Sequence, residues 1–437
     1  MTHGGGALPR APEPALVRTL GRWDLTAIGI NQVVGTAIFL VPAQIAALVG
    51  AWGPLAVLAG GAATLVVALC FAEVSSRFEG TGGPFLYTRA AFGRFVSFEV
   101  GWLAWFTRAS SQAAVTAGLV LAIGRYAPVV ATGPGRVALV TLVSAVFAWV
   151  TWQGIRQSAA VVNALTVGKL LPLVGFLLVG LAWVRPGDLL PLSALEPGNV
   201  LQAGLLLIFL YGGFEVVGVP AGEARDPRRD VPRALVTTVL VVTALYTLAQ
   251  FVATATLPAL PASTTPLADA AQVTMGAAGA FVVTIGSLFA TTGGIAGSVL
   301  SGSRFLYALG EQGDLPRWFA HVHPVHRTPT NAILFTSGVA LLLALTGSFA
   351  ALAGLAAVAR LLVYVGTCGA ALALRHPRWA GRAGRATFTA PFGPAVPVAG
   401  IALSLLVVAG ATRGQLAAGA VFLSLGALLF LVGRWRR

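Results

Sequence analysis

Apolar residues run through this chain in long blocks separated by short polar stretches. The blocks fall at residues 25–50, 54–76, 95–123, 137–153, 159–184, 200–222, 234–257, 278–305, 331–346, 350–373, 395–411 and 416–433. A helix rises about 1.5 Å per residue and the hydrocarbon core is about 30 Å thick, so roughly 20 apolar residues cross a bilayer. The pattern predicts an all-α membrane protein of about 12 transmembrane helices. The polar stretches sort by charge. With the N-terminus inside, the segments on the cytoplasmic side hold 21 basic residues and the opposite loops hold 4, Arg125, Arg136, Arg185 and Arg413. That bias predicts both termini on the cytoplasmic side.

Two blocks are interrupted. The first, LTAIGINQVVGTAIFLVPAQIAALVGAW, carries Gly35-Thr36-Ala37 in its middle and Pro42 beyond. The sixth, LLLIFLYGGFEVVGVP, carries Gly212-Gly213 with Glu215 close behind. Glycine is a poor helix former. A break at membrane depth is tolerated where the freed backbone lines a cavity or meets a ligand, and otherwise reads as a mild kink. Each interrupted block opens a set of five, which is the pattern of an inverted-repeat transporter. The expected organisation is a flexible tail over 1–22, one repeat over 23–184, a second over 199–376, and peripheral helices over 394–437.

Composition fits this picture and removes others. The chain of 437 residues is 57% hydrophobic and 10% charged, outside the soluble range. Its net charge of +14 is explained by the cytoplasmic arginines, so no nucleic-acid partner is expected. Cys70 and Cys368 have no metal or disulfide spacing. His321, His323 and His326 sit in a basic loop with no carboxylate or cysteine beside them, and no metal or other cofactor is expected. The Pro/Gly-rich start has no apolar core and does not read as a signal peptide. Zincin and nucleophile-elbow motifs are absent, and so is a filter-like repeat, which leaves an intramembrane enzyme or a channel as remote alternatives.

One statistic stands apart: 27 arginines and a single lysine, Lys169, deep in the fifth block. A lysine there is costly and by default functional, unless the helix end is shifted so that it reaches the interface. Lysine can give up its proton at working pH whereas arginine cannot. Arg108 and Arg360 also fall within apolar blocks, where they either brace the scaffold or face a vestibule, and no transport role is assigned to them. Glu99 and Arg108 are nine residues apart, about 14 Å along one helix, and do not pair with each other.

Four stretches carry a resemblance. VVGTAIF (33–39), FAEVSSRFEGTGGPFLYTRAAFG (71–93), GFEVVGVPAGEARDPRRDVPRA (213–234) and, more weakly, SGSRFLYALGEQGDLPRWFAHVHPVHRTPTNAI (301–333) resemble the amino acid–polyamine–organocation (APC) superfamily, whose members have the LeuT-type fold. Ala37 departs from it where a glycine is usual, and Glu79 where a proline is common. The resemblance implies a sodium-independent secondary transporter in a bacterial cytoplasmic membrane, with a proton and a small amino acid as its partners. Uptake or exchange of neutral L-amino acids by alternating access is the expectation. The alternative is a cationic amino acid or polyamine exchanger with Glu215 as counter-charge. It also implies site roles. The N–H groups of Thr36, Ala37 and Ile38 after Gly35 would hold the carboxylate, since a helix start suits an anion. Carbonyls of Val33, Phe209, Leu210 and Gly212 would hold the ammonium, with the Phe209 ring as a gate. Lys169 would stand in for a structural sodium, with Ser298 as its candidate partner, and Glu215 would serve proton-dependent gating. Glu223, Asp226 and Asp230 read as a cytoplasmic charge network.

Overall fold

A computed structural model describes residues 18–124, 127–130, 132–184, 194–346 and 349–435. The helices run in chain order as α1 (Arg22–Val33), α2 (Ala37–Val49), α3 (Gly53–Ser75), α4 (Pro84–Phe92), α5 (Arg94–Gly124), α6 (Gly133–Trp152), α7 (Ile155–Trp183), α8 (Pro197–Tyr211), α9 (Pro227–Thr256), α10 (Pro266–Glu311), α11 (Thr330–Thr346), α12 (Phe349–Ala373), α13 (Pro377–Ala380), α14 (Ala395–Ala409) and α15 (Arg413–Trp435). Each apolar block falls on one of these helices, except the first, which falls on the pair α1 and α2, and the sixth, which α8 covers only as far as Tyr211. Among the described residues there is no named strand, and eight segments are long and apolar enough to cross a membrane, with two shorter apolar helices beside them.

The termini of the elements follow from local chemistry. Proline opens α3, α4, α8, α9 and α10 at the first turn, where its missing N–H costs nothing. Gly276 turns the chain inside α10 with φ +69°, so the span proper begins after it. Close packing is made by small residues, as expected where lipid gives helices no hydrophobic reason to associate. A Cβ on Gly61 of α3 would lie 2.4 Å from Thr243 of α9. On α10, Gly293 and Gly297 face Asn31 and Gln32 of α1 in the same way. The bundle's main pairings are α3 along α9, α7 and α5 along α10, α5 along α12, and α6 along α11.

The arginine-rich end is tied by buried carboxylates. Arg304 Nε donates to Glu223 at 3.0 Å, both side chains fully buried. Asp314 holds Arg89 and Arg94, and Glu73 holds Arg375. Asp226 pairs with exposed Arg229, at 3.9 Å. Part of the expected tail is not free. Thr19 and Leu20 N–H groups both donate to the Glu223 carbonyl at 2.9 Å, and Arg225 N–H returns to Leu20 at 2.9 Å. Backbone pairing fixes these residues, which the sequence placed in a loose tail; residues 1–17 lie outside those described. Glu79 meets Arg18 at 3.4 Å on the surface.

Candidate functional site

At the first break, α1 closes with Val34 N–H on the Ile30 carbonyl, 2.8 Å, and Gly35 N–H turns back to Val33, 2.7 Å. The next bond, Phe39 N–H to the Thr36 carbonyl at 3.1 Å, already belongs to α2. The leading N–H groups of α2 therefore stand at a helix start, with the dipole's positive end. The Thr36 hydroxyl lies 3.0 Å from that of Thr291 on α10. Val33 departs from its expected role. Its carbonyl accepts the Tyr246 hydroxyl at 2.6 Å as well as Gly35 N–H, so both lone pairs are engaged and none remains for an ammonium.

At the second break α8 ends at Tyr211, Gly212 is extended, and Gly213 takes φ +130°. A side chain at Gly213 is excluded twice, by that φ and by Gln32 of α1, whose carbonyl oxygen would lie 2.6 Å from the Cβ. The chain continues as a short 3-10 helix over Phe214–Gly218. The Phe209 carbonyl accepts Gly212 N–H at 3.2 Å, which occupies one of its lone pairs. Leu210 is buried in the core. Gly212 faces Arg360: a Cβ there would lie 1.9 Å from Nη1. Gly212→Val is therefore expected to reduce uptake in reconstituted vesicles to background with the protein still folded; near-native uptake would remove Gly212 from the site.

Glu215 is the hub of the buried charges. Its Oε1 accepts from Arg108 of α5 at 2.8 Å and from Arg360 of α12 at 3.0 Å, and its Oε2 accepts from Tyr364 at 3.1 Å and from Gly213 N–H at 2.9 Å. All four of these bonds fill the carboxylate's acceptor sites, which weighs against the counter-charge reading. Arg108 and Arg360, left without a role by the sequence, are the residues that occupy it. The signal was available: ionisable groups at membrane depth pair with one another.

Lys169 of α7 is fully buried. Its ammonium donates to the Asn31 carbonyl at 2.6 Å and to Asn31 Oδ1 at 2.7 Å. Asn31 in turn donates its amide to the Gly293 carbonyl of α10 at 2.9 Å, which fixes which end of the amide faces the lysine. The lysine thus ties α1, just before its break, to α7 and α10. The expected partner Ser298 does not bond it; one helical turn and more beyond Gly293, Ser298 lines the cavity instead.

The two breaks, Arg108, Arg360, Ser111 and Ser298 enclose a cavity of about 60 Å³. That is room for about two waters, far below the roughly 300 Å³ and more of an open ligand pocket. A second cavity of about 420 Å³ lies beside it, lined by Gln44, Gln202, Thr412 and Gln415, at the end of the bundle away from the buried carboxylates. Phe209 and Ala37 border both cavities. Phe209 thus adjoins both the small inner cavity and the wider one. Among the described residues no group of three His, Cys, Asp or Glu can hold a metal. His323 and His326 pack on Trp152 at the end of α6.

Comparison with known proteins decides the family. Residues 20–427 match the amino acid permease family. The chain is an amino acid permease by family. This permease is 28% identical over 415 residues to the methylthioribose transporter of Bacillus subtilis, covering 89% of this chain and 88% of that one. It is 28% identical over 378 residues to the branched-chain amino acid permease BcaP of the same species, covering 82% and 79%. With the human large neutral amino acids transporter small subunit 2 it shares 27% over 400 residues, covering 85% and 74%. The family and these relatives are transporters rather than enzymes, and the permease is a multi-pass membrane protein.

Proposed function

We propose that this permease is a sodium-independent secondary transporter of free L-amino acids that works by alternating access. The observation that carries it is the Lys169 ammonium seated on two oxygens of Asn31 beside the first break. A fixed cation there does what a bound sodium would do, and a lysine can also exchange a proton. Proton coupling follows as part of the proposal. The helix-start N–H groups of Thr36, Ala37 and Ile38 receive the α-carboxylate, and carbonyls at the Gly212 break receive the ammonium. The family description and the names of three relatives, a branched-chain amino acid permease and transporters of large neutral and of cationic amino acids, favour an amino acid substrate, while the methylthioribose transporter shows that the family also carries other small molecules. Glu215 is already held by two arginines, which supports a substrate side chain that is neutral, as expected, or acidic.

The proposal includes twelve spans in a bacterial cytoplasmic membrane, both termini cytoplasmic, with a 5+5 inverted repeat. Support for the repeat comes from packing: α3 lies on α9, α5 on α10 and α6 on α11, so elements of the first block meet their counterparts in the second. In proteoliposomes with an inward proton gradient, replacing external sodium by N-methylglucamine is expected to leave amino acid uptake unchanged. A tenfold fall on that replacement would sink the reading.

A further inference from the structure

The inner cavity is more basic than a zwitterion needs. Arg108 and Arg360 both border it, and among the described residues the single carboxylate paired with them is Glu215. Two guanidinium charges against one carboxylate leave one positive charge in excess at membrane depth, where an unbalanced charge is costly. The unfilled hydrogen-bonding groups point the same way. Arg360 is 3% exposed, and its Nη1 has no partner among the described residues. That nitrogen overhangs the Gly212 break. Gln32 Nε2 is also unpartnered, and its identity as the donor end is fixed because Oε1 accepts from Arg108 at 3.3 Å. The Ser111 hydroxyl is the third unpartnered group. All three residues line the cavity. Every unfilled atom among them can donate, and only the hydroxyl can accept. N–H donors that border one cavity and carry an excess positive charge suit an anion.

We propose that Arg360 Nη1, Gln32 Nε2 and Ser111 Oγ form an anion subsite next to the α-carboxylate position. Its occupant is a monovalent anion, supplied either as the second carboxylate of a dicarboxylic amino acid or as a free halide taken up beside a neutral one. The inference rests on the amino acid reading above and narrows its substrate class.

The test is thermal stabilisation of the purified full-length protein in chloride-free sulfate buffer, titrated with L-glutamate, with L-glutamine, and with each in the presence of sodium chloride. Stabilisation by glutamate at concentrations about tenfold below those of glutamine supports the subsite with a carboxylate occupant. Glutamine that matches glutamate only when chloride is added supports it with a halide occupant. Arg360→Gln should erase whichever preference is seen. Should that variant fail to fold, Ser111→Ala should shrink the preference by about fivefold. Equal stabilisation by glutamate and glutamine with no effect of chloride overturns the subsite while leaving the amino acid reading intact. Stabilisation by none of the three overturns both.

Discussion

Glu215→Gln is expected to destabilise the membrane core by about 3–5 kcal/mol, the usual cost of stripping one partner from a buried ion pair. The carboxylate accepts four hydrogen bonds, from Arg108, Arg360, Tyr364 and the Gly213 N–H. Glutamine keeps the shape, yet leaves two buried guanidinium groups facing each other with no counter-charge. The three elements it joins, α5, α12 and the segment after the second break, would lose their common anchor. Detergent-solubilised protein should melt well below the native form. A double variant, Glu215→Gln with Arg360→Met, should recover part of the loss because one unpaired charge is gone. If the single variant melts like the native protein, the triad contributes nothing to stability; if the double variant is worse than additive, repulsion between the arginines is not the cause.

Lys169→Ala should cost uptake more than stability. The ammonium makes two charge-assisted bonds to Asn31, each ordinarily worth about 1.5–3 kcal/mol. One goes to the backbone carbonyl close before α1 ends, so the first break loses the group that sets its start. Alanine also opens a void against Gly293. Uptake in proteoliposomes should fall to near background, and what remains should no longer respond to a proton gradient. Lys169→Met, which keeps most of the volume, should restore melting temperature without restoring transport. Unchanged proton-driven uptake and substrate affinity in Lys169→Ala would refute the sodium-mimic role.

The helices were legible because their signal is local. Each apolar block is a run of neighbours, and both breaks announce themselves through glycines beside polar residues. The partners of the charged groups were not. Glu215 meets side chains 107 and 145 residues away, and Lys169 meets Asn31 across 138. Nothing in the neighbourhood of Arg108 or Arg360 tells which carboxylate they reach; only the general rule that membrane charges pair would have joined them. Val33 failed for a related reason. Its carbonyl looked free because the helix ends there, and the hydroxyl that fills it comes from Tyr246 on α9. Ser298 was chosen by its place on α10 rather than by reach. Phe209 borders both cavities, because a residue next to a break borders whatever the break opens.

The pairing of Thr19 and Leu20 with Glu223 and Arg225 has a mechanical consequence. It stitches the start of α1 to the chain just past the second break, and Gly213 pressing on Gln32 joins the same two segments at their other end. Fastened at both ends, they behave as a single lever. A displacement of either segment is therefore passed to the other.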